Sequence, residues 1–137
     1  MKHLFAILLF ALCFNVTGLA QELRNSSHAV VAKIERDGTV RDKSNFKVGS
    51  INDKGEVRDK SNRLIGKVES DGTVRDKSNF RIGKIESDGT VRDKSSFVVG
   101  KVASDGTVRD AYNRIIGHAK GVPVRYAALF FFFDLTM

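Results

Sequence analysis

A repeat of seventeen residues dominates this chain. Residues 83–99 read GKIESDGTVRDKSSFVV, and residues 66–82 read GKVESDGTVRDKSNFRI. Five copies follow one another without an insertion or deletion, at residues 32–48, 49–65, 66–82, 83–99 and 100–116. A short and regular period is typical of architectures in which each unit is one small structural element that buries its apolar face against its neighbours. The repeat therefore constrains the architecture strongly and the activity very little.

Each copy contains two short runs that favour β-strands, such as FRIGKIE and TVRD, separated by turn residues. Neither run has the apolar spacing or the length of a helix. In the Glu-Ser-Asp-Gly turn, Gly72 is expected to be left-handed, because glycine takes positive φ without steric cost. In the Asp-Lys-Ser-Asn turn, Asn79 is expected to be left-handed, and Asp76 is expected to cap the turn through its side chain. The units are therefore predicted to be β-hairpins.

These turns predict the register of the strands. The first turn pairs Ile85 with Val91, and the second turn pairs Val74 with Ile82. Ile82 and Ile85 are three residues apart, so a regular strand would point them to opposite faces. Gly83 lies between them, at a position that is glycine in four of the five copies. Because glycine inside a strand indicates a bulge or bend, we expect each long strand to turn a corner there.

The two ends of the array indicate how it is completed. Residues 29–31 resemble the end of the fourth full copy, so the array begins with half a hairpin, and residues 117–133 read as a degenerate closing repeat. Complementary halves at the two ends would pair and leave no open strand edge. The sequence therefore predicts one all-β domain over residues 29–133, a closed ring of five or six hairpin repeats. Residues 134–137 form the C-terminal end.

The C-terminal tail carries four consecutive phenylalanines, Phe130 to Phe133. Such a run cannot face one side of a strand, so it must be covered on both faces or fill the middle of the ring. It is far too short to cross a membrane. We therefore expect the tail, whether strand or helix, to close or plug the ring.

The repeated unit G-K-[IV]-E-S-D-G-T-V-R-D-K-S-N, with the leader and the aromatic tail, resembles the small secreted proteins of Gram-negative gut bacteria called five-fold β-flower proteins. The resemblance extends from about residue 29 to residue 133. It implies a five-petalled closed β fold. It implies no activity, because the family brings no established function or catalytic residues that can be transferred to this chain.

The N-terminus has the three parts of an export signal. Lys2 supplies a short basic region, residues 4–14 form an apolar core, and small residues precede a cleavage site after Ala20. The apolar run is short for a membrane span. The sequence therefore predicts a signal peptide at residues 1–20 and a secreted or periplasmic protein.

The single cysteine lies within the predicted signal peptide, which bears on lipidation and on disulfide bonding. Cys13 follows Leu12, whereas a lipidation site needs a small residue there, so a lipid anchor is disfavoured. Cleavage removes the chain's single cysteine, so the mature protein is expected to have no disulfide bond. Residues 21–28 are expected to be a disordered linker.

The sequence offers few groups for catalysis or metal binding. It has no nucleophile elbow, phosphate-binding loop or paired-carboxylate motif. His28 and His118 have no cysteine or second histidine at ligand spacing. Asp71 and Asp76 weakly resemble part of a calcium loop, but the hairpin turns already account for both. We therefore expect a protein that is not an enzyme and that binds no cofactor and no metal.

Charge provides the remaining indication of function. The net charge of +7 favours anionic partners, although charges of both signs alternate within every unit, as on a solvated face. An arginine followed by an aspartate recurs in all five units, and in a ring these residues become two circles of like charge. The arginines are Arg41, Arg58, Arg75, Arg92 and Arg109, and the aspartates are Asp42, Asp59, Asp76, Asp93 and Asp110.

The arginine circle has two interpretations. It could form a multivalent surface for an anionic or hydroxyl-rich polysaccharide, in which weak sites add through effective concentration. Alternatively, each aspartate caps its turn while each arginine covers neighbouring strands and pairs with a nearby acid. We favour the second interpretation. Phe46, Phe80 and Phe97 support it, because they occur in only three units and alternate with apolar positions like core residues.

Two hypotheses for the function follow. The first is a binding module for glycans or other envelope components, and the alternative is a structural or assembly scaffold with no small ligand. A distinct groove between petals lined by tyrosine or phenylalanine would favour the first. A flat charged surface with a self-complementary patch would favour the second. We expect no nucleic-acid partner in vivo and no transmembrane segment, and the sequence does not indicate an oligomeric state.

Overall fold

The computed structural model describes residues 21–133. The predicted signal peptide at residues 1–20 and the C-terminal end at residues 134–137 lie outside the described residues. The described part forms β-strands followed by one helix. The elements are β1 (Gln21–Asn25), β2 (Val30–Ile34), β3 (Thr39–Asp42), β4 (Lys47–Ile51), β5 (Glu56–Asp59), β6 (Leu64–Val68), β7 (Thr73–Asp76), β8 (Arg81–Ile85), β9 (Thr90–Asp93), β10 (Val98–Val102), β11 (Thr107–Asp110), β12 (Ile115–His118) and α1 (Val124–Phe132).

The strands form one closed antiparallel sheet. Each strand pairs with its neighbours in the chain, and β1 closes the sheet by pairing with β12. At this closing seam Arg24 lies opposite His118, and Asn25 lies opposite Gly117. The predicted closed all-β ring is therefore confirmed, and its twelve strands make six hairpins.

The two kinds of turn lie at opposite ends of the ring, because successive strands run in opposite directions. We call one end the glycine-turn end; its turns are residues 35–38, 52–55, 69–72, 86–89, 103–106 and 119–122. We call the other end the asparagine-turn end; its turns are residues 25–28, 42–45, 59–62, 76–79, 93–96 and 110–113.

The first hairpin includes a segment that the sequence did not assign to it. Residues 21–28, which were expected to be a disordered linker, form strand β1 and the turn after it, so that expectation is wrong. Leu23 stands seventeen residues before Val40, and both side chains are almost completely buried. Pairing on both sides and burial of Leu23 outweigh the low strand propensity of the sequence QELRN.

Both predicted turn conformations are present. Gly72 has a φ of 91° and Asn79 has a φ of 70°. Oδ1 of Asp76 accepts hydrogen bonds from the backbone N–H groups of Ser78 at 2.9 Å and Phe80 at 3.0 Å. Each turn is thus specified by its own residues, which is why the repeat could be phased from the sequence.

The corner at the repeated glycine is a β-bulge. Val74 lies opposite Gly83, and the register shift beside this pair leaves Ile82 as the extra residue. The predicted pairing of Val74 with Ile82 is therefore wrong by one residue. The predicted pairing of Ile85 with Val91 is confirmed. The bulge resets the alternation of side chains, so the residues before and after it both contribute to the core.

Apolar side chains from all six hairpins point into the ring and form one core. The short strands contribute one layer of residues that are at most 1% exposed: Leu23, Val40, Val57, Val74, Val91 and Val108. The last residues of five strands, and Ala119 directly after β12, contribute a second buried layer: Ile34, Ile51, Val68, Ile85, Val102 and Ala119. Because each hairpin supplies only two such residues, the core exists only when the ring is complete.

The predicted closing repeat at residues 117–133 continues as a strand only to His118. A turn follows in which the glycine comes one residue earlier than in the other glycine turns, and α1 then begins after Pro123. The prediction of a sixth copy is therefore wrong beyond β12. Proline has no backbone N–H to donate to a strand ladder, and the alanines and leucine of VRYAALFFF favour a helix. No helix among the described residues is long and apolar enough to cross a membrane.

Helix α1 fills the middle of the ring. Ala127, Ala128 and Leu129 are buried in the same core as the strand valines, and Phe131, Phe132 and Phe133 pack against it while remaining partly exposed. The expectation that the tail plugs the ring is therefore confirmed.

The plug gives a reason for the glycine at the bulge. A Cβ atom on Gly83 would lie 2.5 Å from Cε1 of Phe133, so only glycine leaves room for the aromatic ring. Three consecutive phenylalanines contact three consecutive hairpins in this way. The pairs are Phe133 with Gly83, Phe132 with Gly100 and Phe131 with Gly117.

Candidate functional site

The five arginines predicted to bind a ligand lie in one circle on the outer wall of the ring. Each follows a buried valine on its strand, and the alternation of a strand places the arginine on the opposite face of the sheet. Arg24 in β1 adds a sixth member, which the sequence missed because β1 was not recognised as a strand. The predicted members are Arg41, Arg58, Arg75, Arg92 and Arg109.

Several of these guanidinium groups are held by residues of their own repeat. Nε of Arg75 donates to Glu69 at 2.8 Å, and its Nη1 donates to the carbonyl oxygen of Asn79 at 3.1 Å. Arg41 and Arg92 make the same two bonds, each to the glutamate six residues earlier and to a turn carbonyl. The Arg75 side chain is 31% exposed. These donors stabilise the turns, which supports the structural interpretation of the circle.

Arg109 differs from its equivalents. Its unit has Ala103 where three other units have glutamate, and its Nη1 donates to the carbonyl oxygen of Asn113 at 3.1 Å. Within residues 21–133 it forms no ion pair, unlike the other arginines of the circle. The circle therefore does not present equal sites around the ring.

The aspartates beside the arginines cap the asparagine turns. Oδ1 of Asp59 accepts the backbone N–H groups of Ser61 at 2.9 Å and Arg63 at 3.0 Å. The hydrogen bond from the Arg63 backbone is the main reason that the pKa of Asp59 lies below its ordinary value. The equivalent bond from Arg114 lowers the pKa of Asp110 in the same way. These carboxylates are charged caps that the fold already uses.

Aspartates also cap the glycine turns at the other end of the ring. Oδ1 of Asp88 accepts the backbone N–H of Thr90 at 2.9 Å, and this bond lowers the pKa of Asp88. Asp71 is held in the same way, at the opposite end of β7 from Asp76. Because these two carboxylates lie at opposite ends of one strand, they do not form a shared calcium loop.

His28 and His118 stack on each other across the closing seam. Their ring centroids are 4.0 Å apart and the rings are inclined by 12°. His28 belongs to the first asparagine turn and His118 to β12, so this contact joins the two ends of the sheet.

Phe46, Phe80 and Phe97 are not core residues, so that prediction is wrong. Each is 69–70% exposed at the asparagine-turn end. Each directly follows the left-handed residue of its turn, and this change of chain direction breaks the alternation that would have pointed it inward. Tyr112 in the last asparagine turn is 80% exposed, and the guanidinium carbon of Arg114 lies 5.4 Å from its ring centroid. This end of the ring therefore carries exposed aromatic side chains.

A groove at the glycine-turn end departs from the repeat. It lies between the turns at residues 69–72 and 86–89 and the first turn of α1, and its volume is about 360 Å³. Its polar and aromatic lining consists of Ser70, Asp71, Glu86, Ser87, Arg125 and Tyr126. The sequence did not reveal this groove, because it depends on where α1 enters the ring.

The groove combines several kinds of binding group. Tyr126, which is half-buried and packs against the core, and the exposed Arg125 both line the groove, so an aromatic residue and a forked donor adjoin it. Ser70 and Ser87 are exposed and contribute hydroxyl groups. The carboxylate of Asp71 is an additional acceptor, and the backbone bond from Thr73 lowers its pKa and so keeps it charged. These groups can donate and accept hydrogen bonds around one small ligand.

Tandem hairpins that close into a ring around a C-terminal helix define a closed β-hairpin repeat protein. The family model described as 5-fold beta-flower protein matches residues 20–134. The chain therefore belongs to the five-fold β-flower family. No curated protein and no solved structure matches it. The basis for inferring a function is accordingly the surface of this ring.

Proposed function

We propose that this protein is a secreted or periplasmic, non-enzymatic binding module for a hydroxyl-rich glycan of the cell envelope. The groove at the start of α1 holds the sugar. The observation that carries this proposal is the groove between two hairpins with Tyr126 in its lining. A tyrosine-lined groove between petals is the feature that distinguishes a binding module from a scaffold.

The chemistry of the groove suits a sugar. Tyr126 offers an aromatic face on which the C–H face of a pyranose can stack, with hydroxyls and a carboxylate close by. The hydroxyls of a sugar both donate and accept, so they match Ser70, Ser87 and Asp71 together. A volume of about 360 Å³ is near the lower limit for small-molecule sites, which fits one or two sugar residues of a longer chain.

The charge around the groove favours a neutral glycan over a polyanion. The glycine turns carry eight acidic and three basic residues in total. The charge of Glu86 in the groove is balanced by its ion pair with Arg92. Asp71 forms no such pair among the described residues, and its lowered pKa keeps it negatively charged. An anionic polymer would therefore be repelled from this end of the ring. Of the two polymer classes suggested by the sequence, the hydroxyl-rich class fits the groove.

One pair of matched variants tests the proposal. Ser87 lies in the groove, and Ser104 occupies the same place in a glycine turn outside it. The first repeat has Arg36 at this position, so the turn accepts an arginine side chain. We expect S87R to block the groove, while S104R leaves binding intact.

The measurement is a glycan array on the secreted protein, followed by calorimetry with the best neutral oligosaccharide. We expect S87R to weaken binding at least about tenfold and S104R to change it less than twofold, with similar melting temperatures for both. Equal effects of the two variants would contradict the groove as the site. Failure of the wild-type protein to bind any envelope glycan would favour the scaffold alternative.

A further inference from the structure

The exposed hydrophobic side chains of this protein are concentrated at one end. Among the described residues, seven of the eight large hydrophobic side chains that are exposed lie in an asparagine turn or within two residues after it. They come from five of the six hairpins, so they extend most of the way around the ring. The seven are Phe46, Leu64, Phe80, Phe97, Val98, Tyr112 and Ile115.

The turns do not require these aromatic residues. The position of Phe46, Phe80 and Phe97 is occupied by Arg63 and Arg114 in two other hairpins that form the same turn. Each phenylalanine keeps 69–70% of its surface exposed, so it adds little to the core. Exposed apolar side chains that gather at one end of a protein are a candidate interaction surface.

The same end of the ring is basic. Exposed lysines occupy the position after the capping aspartate in four asparagine turns: Lys43, Lys60, Lys77 and Lys94. From each capping aspartate to the first residue of the next strand, these turns carry eight basic and five acidic residues. The acidic ones are the turn caps, whose charge is partly met by backbone N–H groups. The glycine-turn end has the opposite charge, so the ring is polarised along its axis.

The shape of the asparagine-turn end indicates what kind of partner can bind there. The asparagine turns follow one another around a closed sheet, so together they form a rim at this end of the ring. A rim with aromatic side chains beside lysines complements a flat, negatively charged surface that also has an apolar interior. A bilayer with anionic lipids has these properties.

We propose that the asparagine-turn end docks on an anionic lipid bilayer. Phe46, Phe80 and Phe97 enter the interfacial region of the bilayer, and the neighbouring lysines contact lipid phosphates. Docking in this orientation points the glycine-turn end, and the groove in it, away from the membrane. This inference uses none of the groove residues and does not depend on glycan binding.

The chain contains no tryptophan, so a single introduced tryptophan reports on one place only. F80W places the probe on the rim, and Y126W places it at the opposite end of the ring. Vesicles of phosphatidylcholine with phosphatidylglycerol should shift F80W emission to the blue, and brominated lipid chains should quench it. Y126W should show neither change. A shift for Y126W instead of F80W would contradict the proposed orientation.

A charge-raising variant separates insertion from simple electrostatic attraction. F46R/F80R/F97R places at three turns the residue that two other hairpins already have, and it adds three positive charges. We expect vesicle affinity to fall at least about tenfold despite the higher charge, because the aromatic side chains are lost. Unchanged or tighter binding would overturn insertion.

A second variant tests the charge contribution. K43Q/K77Q/K94Q should weaken binding to anionic vesicles about fivefold per lysine. Its melting temperature and that of the arginine variant should match the wild type, because all six side chains are exposed. The wild-type protein should bind anionic vesicles and should bind pure phosphatidylcholine much more weakly. Binding to polygalacturonate without any binding to vesicles would replace the lipid with a polyanionic polysaccharide and overturn the proposal.

Discussion

Gly83→Ala should destabilise the ring, because the space beside Gly83 is already occupied. An added Cβ would lie 2.5 Å from Cε1 of Phe133 in the plug and 2.5 Å from the carbonyl oxygen of Arg92 in the next strand. Non-bonded heavy atoms normally approach to about 3.5 Å. The substitution therefore requires the plug, the neighbouring strand or both to move by about 1 Å.

The magnitude follows from the cost of overpacking. Extra atoms in a well-packed interior cost about 1–3 kcal/mol of unfolding free energy, and one partner here is backbone that moves less readily than a side chain. For a domain of this size, each kcal/mol lowers the melting temperature by about 4 °C. We expect Gly83→Ala to melt about 4–12 °C below the wild type.

The assay is thermal and urea unfolding followed by circular dichroism, with a double-mutant cycle. In the G83A/F133A variant the aromatic part of the clash is absent, so the added cost of Gly83→Ala should be smaller than in the wild-type background. Ala32→Gly is a matched control, because Ala32 occupies the same place in the first hairpin. It should cost only about 1 kcal/mol, through loss of a buried methyl and added backbone freedom.

A melting temperature for Gly83→Ala within about 2 °C of the wild type would refute this explanation of the glycine. A cost that is unchanged by F133A would assign the whole requirement for glycine to the neighbouring strand.

Four further predictions test other parts of the fold. Truncation after Tyr126 removes most of the plug and should give a protein that aggregates or melts without cooperativity; an unchanged melting temperature would mean that the tail is an exposed peptide. Gly72→Val should cost about 2 kcal/mol or more, because its φ is 91° and the added side chain would meet the backbone of the next hairpin; a variant that melts like the wild type would contradict the turn. Ser96→Asn should raise the melting temperature by about 2 °C, because Ser96 has a φ of 70° where four other hairpins have the more tolerant asparagine; a decrease would count against this reasoning. Asp88 has a pKa below its ordinary value of 3.8, because it accepts the backbone N–H of Thr90, so its contribution to stability is complete above that value and is lost as pH falls through the lower folded pKa. The free energy of unfolding should therefore decline below about pH 4, and Asp88→Asn should make that decline shallower; identical pH profiles would contradict the charged cap.

Local chemistry made much of the fold predictable from the sequence. Gly72, Asn79 and Asp76 specify their turns through φ preference and hydrogen bonds to nearby backbone, and neither effect needs the rest of the protein. Because the repeat has a constant period, the turns predicted for one copy could be predicted for the others as well. The closed ring followed because the two ends of the array are incomplete without each other.

The parts that were missed depend on contacts between distant residues. Strand β1 has weak strand propensity and is held by its pairing with β2 and β12 and by burial of Leu23. Ile82 is the extra residue of a bulge, which shifts the pairing by one residue from the one predicted. The helical form of the plug depends on the space enclosed by the ring, which all six hairpins form together.

The candidate site was harder to predict than the fold. The sequence favoured a structural role for the arginine circle over ligand binding, and Arg75 donates hydrogen bonds to Glu69 and to its own turn. Phe80 was misread as a core residue, because alternation in sequence does not show which residues a turn leaves outside. In the groove, Tyr126 lies beside turns more than thirty residues earlier in the chain. A pattern in neighbouring residues cannot predict a contact over that separation.

We propose different ligands for the two ends of the ring, and backbone amide chemical-shift mapping can locate both sites in one protein. The ¹⁵N-labelled protein comprising residues 21–137 would be titrated separately with a neutral oligosaccharide and with bicelles containing phosphatidylglycerol. We expect the sugar to shift the amide resonances of residues 69–72, 86–89 and 124–126. We expect the bicelles to shift the amide resonances of the asparagine turns. Shifts from both titrations at one end of the ring, or along the arginine circle, would contradict this proposal.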